Sequence, residues 1–179
     1  MPGDYEPFIG KAHGVTGRLD ALINNAAIFE EDSLHGADHK KFTRHMQINA
    51  WAPLVLSADF ARLALKGQII NILDTRVSGF FDRKHVSYVL SKHSLHILTK
   101  MMALEFAPAI RVNAVAPGLI LPPPGKDEGY LKELAQTVPL KMHGSPENIT
   151  DAVLFLLGND FITGQVINVD GGYHLKENV

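Results

Sequence analysis

A chain of 179 residues can form one domain with a buried core and is short for two. Hydrophobic residues make up 46% and charged residues 20%, an ordinary globular composition, and a formal net charge of −2 gives no basic field to attract nucleic acid. Cysteine is absent, which excludes disulfides and thiolate catalysis and favours a reducing cytoplasm. The opening MPGDYEPFIGKAHG has no basic stretch followed by an apolar run, and no apolar segment approaches the ~18 residues of a membrane span, so neither a signal peptide nor membrane insertion is expected. The nine histidines show no metal-ligand spacing, so no metal is expected either.

Helix-like and strand-like segments alternate along the chain, the pattern of an α/β domain over residues 1–179 with a mainly parallel sheet. Lys11–Gly17 reads as a helix end and its turn, and Ala21–Asn24 as a short buried strand. Lys40 to about Leu65 carries helical apolar spacing through Phe42, Met46, Ile48, Leu54, Leu56, Phe60 and Leu63. The β-branched run Gln68–Leu73 predicts the next strand. Ser87–Phe106 predicts a long helix stopped by Pro108, and Ile110–Ala116 a strand ended by Pro117-Gly118. Leu119–Gly125 is a loop with three consecutive prolines, followed by a short helix over Lys126–Val138 that could cover a pocket. Ser145-Pro146-Glu147 is a helix start, with a hydroxyl cap, proline at the first position and an acid at the dipole's positive end, and that helix runs to Leu157. Gln165–Val169 predicts a final strand closed by Asp170-Gly171-Gly172.

Tyr88 and Lys92 stand four apart on one predicted helix and so share a face. An ammonium beside a phenol favours the phenolate, and such a tyrosine can exchange a proton with an atom next to a hydride-transfer carbon. Both residue types are common, so the pair alone is also read as an exposed helix pair.

Further segments, in order, make the pair more specific. Leu22-Ile23-Asn24-Asn25-Ala26-Ala27, Gln47-Ile48-Asn49, Tyr88-Val89-Leu90-Ser91-Lys92, Arg111-Val112-Asn113-Ala114-Val115-Ala116-Pro117-Gly118, Phe161-Ile162-Thr163-Gly164-Gln165 and Val169-Asp170-Gly171-Gly172 resemble the motifs of the short-chain dehydrogenase/reductase family. The resemblance covers nearly the whole chain. It implies a Rossmann-like doubly wound parallel sheet, a nicotinamide dinucleotide cofactor and a small-molecule substrate. It implies Tyr88 as general acid and base, Lys92 as the residue that lowers its pKa and holds the nicotinamide ribose, and Asn49 as the holder of a relay water. Asn49 also reads as a helix-kink or capping amide. By the same resemblance Asn25, Ala26 and Ala27 lie along the cofactor, with Ala27 replacing a usual glycine, and Pro117, Gly118, Leu119 and Ile120 flank the nicotinamide.

Where the family usually carries a substrate-orienting serine, this strand ends Asn71-Ile72-Leu73-Asp74-Thr75. Counting from the strand selects Asp74, and counting back from Tyr88 selects Thr75. Asp74 is preferred because the strand fixes geometry and the loop absorbs a residue; a solvated turn aspartate is the plain alternative. An aspartate here resembles the pteridine and dihydromonapterin reductases of the family. Phe29 then falls where those enzymes stack a pterin ring, though a lid or core phenylalanine fits equally. That resemblance implies a pterin-like heterocycle reduced with NADP(H) rather than NAD(H), the residue that tells the two cofactors apart falling in the unmatched segment.

The family's opening strand, Gly-rich turn and helix, on which the pyrophosphate rests, have no counterpart in these residues. The chain is thus expected to correspond to the C-terminal two-thirds of such a domain, with about 70 residues unmatched, and residues 1–179 alone are expected to bind a dinucleotide poorly. Three functions follow: a reductase, a non-catalytic interaction module, or a general alcohol and ketone dehydrogenase. Right-handed crossovers are expected to put helices on both faces, Ala21–Asn24 to form a sheet edge, and helices Ser87–Phe106 and Pro146–Leu157 to carry a homo-oligomer, dimer or tetramer.

Overall fold

The computed structural model describes residues 6–79, 83–123 and 125–175; Pro124 of the predicted proline loop lies outside them. Four parallel strands form one sheet in the order β1 (Ala21–Asn24), β2 (Gly67–Ile72), β3 (Ile110–Pro117), β4 (Val166–Val169). The elements between them are α1 (Glu6–Thr16) ahead of β1, α2 (His39–Met46) and α3 (Ala52–Leu63), α4 (Val86–Glu105), and α5 (Glu128–Ala135) with α6 (Pro146–Gly158). Among the described residues no helix is long and apolar enough to cross a membrane.

The apolar alternation of β2 and β3 explains the layers. Ile69, Ile110 and Val112 pack with Ile9 of α1, Phe60 of α3 and Met102 of α4, while Ala114 and Ala116 pack with Leu95 of α4. The intervening residues Ile70 and Val115 face Val153 and Leu156 of α6. Each strand alternates faces, so one apolar strand feeds two cores. Helices do lie on both faces, but not through crossovers of one hand. All three crossovers step the same way across the sheet, and a single hand would put every helix on one side. The crossover through α6 therefore has the opposite hand from those through α2–α3 and α4.

The predicted helix from Lys40 to Leu65 is interrupted. Gln47–Trp51 forms a π-helical turn, closed by the Ala52 N–H on the Gln47 carbonyl. Pro53 follows, and without an N–H it cannot continue the ordinary i→i−4 ladder. Helix α5 is shorter than Lys126–Val138, because the Asp127 side chain caps it at the Tyr130 N–H and starts it late. Helix α6 begins as expected, with the Ser145 N–H donating to the Asn148 side chain.

A buried chain of amides and hydroxyls ties the layers beneath the site. Asn24 Nδ2 donates to Ser57 Oγ at 3.1 Å and to Asn71 Oδ1 at 2.8 Å, and Asn71 Nδ2 donates to Thr99 Oγ1 at 2.9 Å. These contacts join β1, β2, α3 and α4, and each of these four side chains finds a partner. The far edge of β1 has no strand neighbour among the described residues; α1 packs on α3 and adds none. Ile23 is exposed there, on the side of the sheet that faces α6.

Candidate active site

All four strands are parallel, so their carboxyl ends share one edge of the sheet. Asn25–Ala27 follow β1, Asp74 follows β2, Pro117 ends β3 with Gly118 after it, and Asp170 follows β4. In open parallel sheets, ligands bind along this edge.

Helix α4 brings Tyr88 and Lys92 under it. Both are buried, and so is Asn49. The Tyr88 hydroxyl donates to Asp74 Oδ2 at 2.9 Å. Asp74 also caps the short 3₁₀ turn Thr75–Val77, accepting from the Arg76 N–H at 2.8 Å. Arg76 Nη1 reaches both Asp74 oxygens, at 3.1 and 2.9 Å. Thr75 turns the other way and is buried, donating to Asp170 Oδ2. Of the two candidates at this strand end, Asp74 is the one that meets Tyr88.

Asp74 and Arg76 bring their charges to the phenol. Burial, then the Asp74 charge, then its hydrogen bond hold the Tyr88 pKa well above the usual tyrosine value, and Arg76 acts in the opposite sense. The Lys92 Nζ lies 5.8 Å from the Tyr88 ring centroid and donates to the Ile72 carbonyl at 2.7 Å. Burial lowers the Lys92 ammonium itself to about 8, with Asp74 opposing the shift.

Asn49 sits in the π-helical turn and is fully committed by its side chain. Its Oδ1 accepts from the Ile28 N–H at 2.9 Å, and its Nδ2 donates to the Ile28 carbonyl and to Ser91 Oγ, both at 3.0 Å. Ser91 in turn donates to the Tyr88 carbonyl at 2.7 Å. The amide thus pins the loop after β1 to α4, next to Tyr88. Ala27 in that loop needs no left-handed backbone, which is why alanine can stand where a glycine was expected.

Phe29 is 44% exposed at the mouth. Its ring stacks on His85 at 4.1 Å, meets the Tyr88 ring edge-on at 4.7 Å, and lies 5.3 Å from the Arg76 guanidinium carbon. Sequence reasoning missed Arg76 and His85. Neither belongs to a spaced motif, and only the fold brings them to the phenol.

The C-terminal turn closes the side of the site. Burial pushes the Asp170 pKa up, but hydrogen bonds from Thr75, from the His174 backbone and ring, and from the Gly172 N–H outweigh it and hold the carboxyl below the usual range. Gly118 is required at this point: a Cβ there would fall 2.6 Å from the Asp170 Cβ. Asn25, Ala26 and Ala27 are exposed, and Pro117, Gly118, Leu119 and Ile120 are half-buried.

Known proteins resemble this chain over most of its length. Residues 2–174 match the family model described as enoyl-(acyl carrier protein) reductase. The putative ketoacyl reductase 2 of the granaticin polyketide synthase of Streptomyces violaceoruber is 35% identical, over 89% of this chain and 68% of its own. The dihydromonapterin reductase of Klebsiella pneumoniae is 33% identical, over 93% of this chain and 70% of its own. The crystal structure of the FolM alternative dihydrofolate reductase 1 of Brucella suis, in complex with NADP, superposes with a TM-score of 0.94 at 31% identity, covering 99% of this chain and 73% of that one. With a buried Tyr88 and Lys92 on one helix at the carboxyl edge of a parallel sheet, and reductases along its whole length as relatives, this chain belongs to the short-chain dehydrogenase/reductase family of oxidoreductases.

Proposed function

We propose that this protein reduces a pterin-like fused heterocycle with NADPH, with Tyr88 as the proton donor. The carrying observation is the carboxylate of Asp74, rather than a neutral hydroxyl, at 2.9 Å from the Tyr88 hydroxyl. A carboxylate accepts hydrogen bonds and repels a developing oxyanion, so it disfavours a ketone oxygen and favours a ring that presents N–H groups. The dihydromonapterin reductase and FolM relatives support the same substrate class.

The residues along the edge fit the nicotinamide half of a dinucleotide. Asn25, Ala26 and Ala27 offer small exposed side chains past which a flat ring and its ribose can lie, and Pro117–Ile120 border the same edge. Lys92 would hold the ribose, and the NADP complexes of the Brucella proteins favour NADP(H). The bound dinucleotide supplies hydride. Tyr88 keeps its proton at neutral pH and delivers it to the ring nitrogen beside the reduced carbon. Asp74 accepts a ring N–H and orients the heterocycle, while the exposed Phe29 offers an aromatic surface near it. Lys92, with a pKa near 8, exchanges protons close to working pH and serves to reload Tyr88. Asn49 holds the loop after β1 against α4, beside Tyr88.

A homo-oligomer is part of this proposal, since α4 exposes Leu90, Ile97, Met101 and Leu104 beside an apolar groove of about 630 Å³ between α2–α3 and α4. The absence of cysteine accords with a cytoplasmic setting. Steady-state assays with NADPH test the function. Turnover of dihydropterins is the expected result. Robust reduction of simple ketones without dihydropterin binding would establish a general carbonyl reductase instead, and binding without any turnover a non-catalytic module.

A further inference from the structure

A carboxylate against the hydroxyl of a proton-transferring tyrosine creates an electrostatic conflict. When the phenol gives up its proton, two negative oxygens share one buried site. Arg76 stands where it can resolve this conflict. Its backbone N–H and its Nη1 both engage Asp74, so the carboxylate is gripped from two directions. The guanidinium is mostly buried and lies against the Phe29 ring, which itself abuts Tyr88. One guanidinium makes both contacts: a single nitrogen, Nη1, reaches both carboxylate oxygens while the group lies against an aromatic ring.

The other charged and titratable groups around Tyr88 have different commitments. Lys92, on the same helix, donates to the Ile72 carbonyl. His85, just ahead of the helix, stacks on Phe29. In the C-terminal turn, Asp170 and His174 engage one another, and Asp170 takes the Thr75 hydroxyl. Asp74 and Arg76 are thus the two charges that bear directly on the phenol, with opposite effects.

We propose that Arg76 is a positioning residue for proton transfer at Tyr88: it neutralises Asp74 and holds that carboxylate on the hydroxyl, so that Tyr88 can alternate between phenol and phenolate beside a buried acid. This rests on the reading of Tyr88 as the proton donor. Arg76 acts through Asp74 and need not touch substrate.

The test is a pH titration of the chain labelled with ¹³C at the tyrosine Cζ, which reports on four tyrosines, with Tyr88→Phe to assign the signal. Arg76→Gln should move the Tyr88 midpoint upward by about one pH unit or more, the scale of a lost neighbouring charge. Asp74→Ser should move it downward. Arg76→Lys, which keeps the charge beside Asp74, should return it to within about half a unit of the wild type. If wild-type Tyr88 stays protonated to the alkaline limit of the folded chain, the comparison is repeated with difluorotyrosine incorporated and read by ¹⁹F, its phenol being intrinsically more acidic; Arg76→Gln must again move the midpoint upward, and by less once Asp74→Ser has removed the carboxylate. If Arg76→Gln does not fold by circular dichroism, Arg76→Met keeps packing against Phe29 without the charge and carries the same expected shift. A midpoint unmoved by loss of the charge, or displaced as far by Lys as by Gln, overturns the proposal. The titration needs no turnover, so a fully active Tyr88→Phe enzyme would remove the proton-donor reading while this measurement still reported whether Arg76 offsets Asp74.

Discussion

The hydroxyl of Tyr88 and the carboxylate of Asp74, fourteen residues apart in the chain, meet at 2.9 Å in a buried pocket. One comes from the first turns of α4 and the other from the end of β2; burial first, and then the Asp74 contact, hold the tyrosine as a phenol. Tyr88→Phe removes the transferable proton and one hydrogen bond while keeping the ring. Turnover is expected to fall by about two to four orders of magnitude, with a stability change within about 1.5 kcal/mol. Steady-state kinetics and urea denaturation measure the two effects, and near-normal turnover would remove Tyr88 from the mechanism.

Phe29 is expected to act on substrate more than on cofactor. Phe29→Ala should weaken dihydropterin binding about tenfold, the scale of one lost aromatic contact, and change NADPH binding less than about twofold. Calorimetric titration of each ligand separates the effects. Equal losses would identify Phe29 as a packing residue that holds His85 and Tyr88.

Asn49 should matter for the fold before it matters for chemistry. Its side chain satisfies both the N–H and the carbonyl of Ile28, and Asn49→Ala leaves both groups without that partner in a half-buried loop. The expected cost is about 2–3 kcal/mol in urea denaturation at neutral pH. A loss below about 0.5 kcal/mol would mean that water replaces the amide freely.

Alkaline stability should pass through a maximum. Lys92 titrates at about 8 in the folded chain against about 10.5 ordinarily. Folding disfavours its charged form, so this cost is full below pH 8 and fades as pH rises toward 10.5, where the unfolded chain also loses the proton. Tyr88 has the opposite sign. Its raised pKa contributes stability that is full below the usual phenol value of 10.0 and is lost as pH rises through the folded value. Urea midpoints should therefore rise between pH 8 and 10 and fall above it, and Lys92→Met should flatten the rise. A rise unchanged in Lys92→Met would assign it to another group.

The exposed apolar face of α4 should be covered in solution. Ile97 and Leu104 are 60% and 84% exposed, and Phe42 and Trp51 border the same groove. Sedimentation at micromolar concentration is expected to find a dimer or tetramer, and Ile97→Glu with Leu104→Glu to shift it to monomer by burying charge at the contact. A wild-type chain that sediments only as monomer counts against the assembly.

Local chemistry made several elements legible in the sequence. Ala21–Asn24 and Ile110–Pro117 are apolar or β-branched runs stopped by polar or Pro-Gly turns, and α6 opens on Ser145-Pro146. The shared face of Tyr88 and Lys92 needed only the helical period. Counting from β2 directed attention to Asp74 because a strand has a rigid rise, whereas the loop from Arg76 to His85 has no fixed length per residue. These are consequences of bonds and periods within a few residues, and they can be read without knowing what lies opposite.

The tertiary structure decided what depended on neighbours distant in sequence. That Arg76 bears on the Tyr88 phenol depends on where the turn after β2 places its guanidinium, against Asp74. The hand of the crossover through α6 depends on which face of β3 offers an unfilled row, Val115 or Ala114. The π-helical turn at Asn49 follows locally from Pro53, but its use, a grip on Ile28 and Ser91, exists only when β1 and α4 are packed together. Thr75 remains the less favoured rival to Asp74 in the sequence until Asp170, ninety-five residues on, takes its hydroxyl. Sequence period sets which way a side chain faces along its own element; burial and charge at a site are set by what the other elements bring against it.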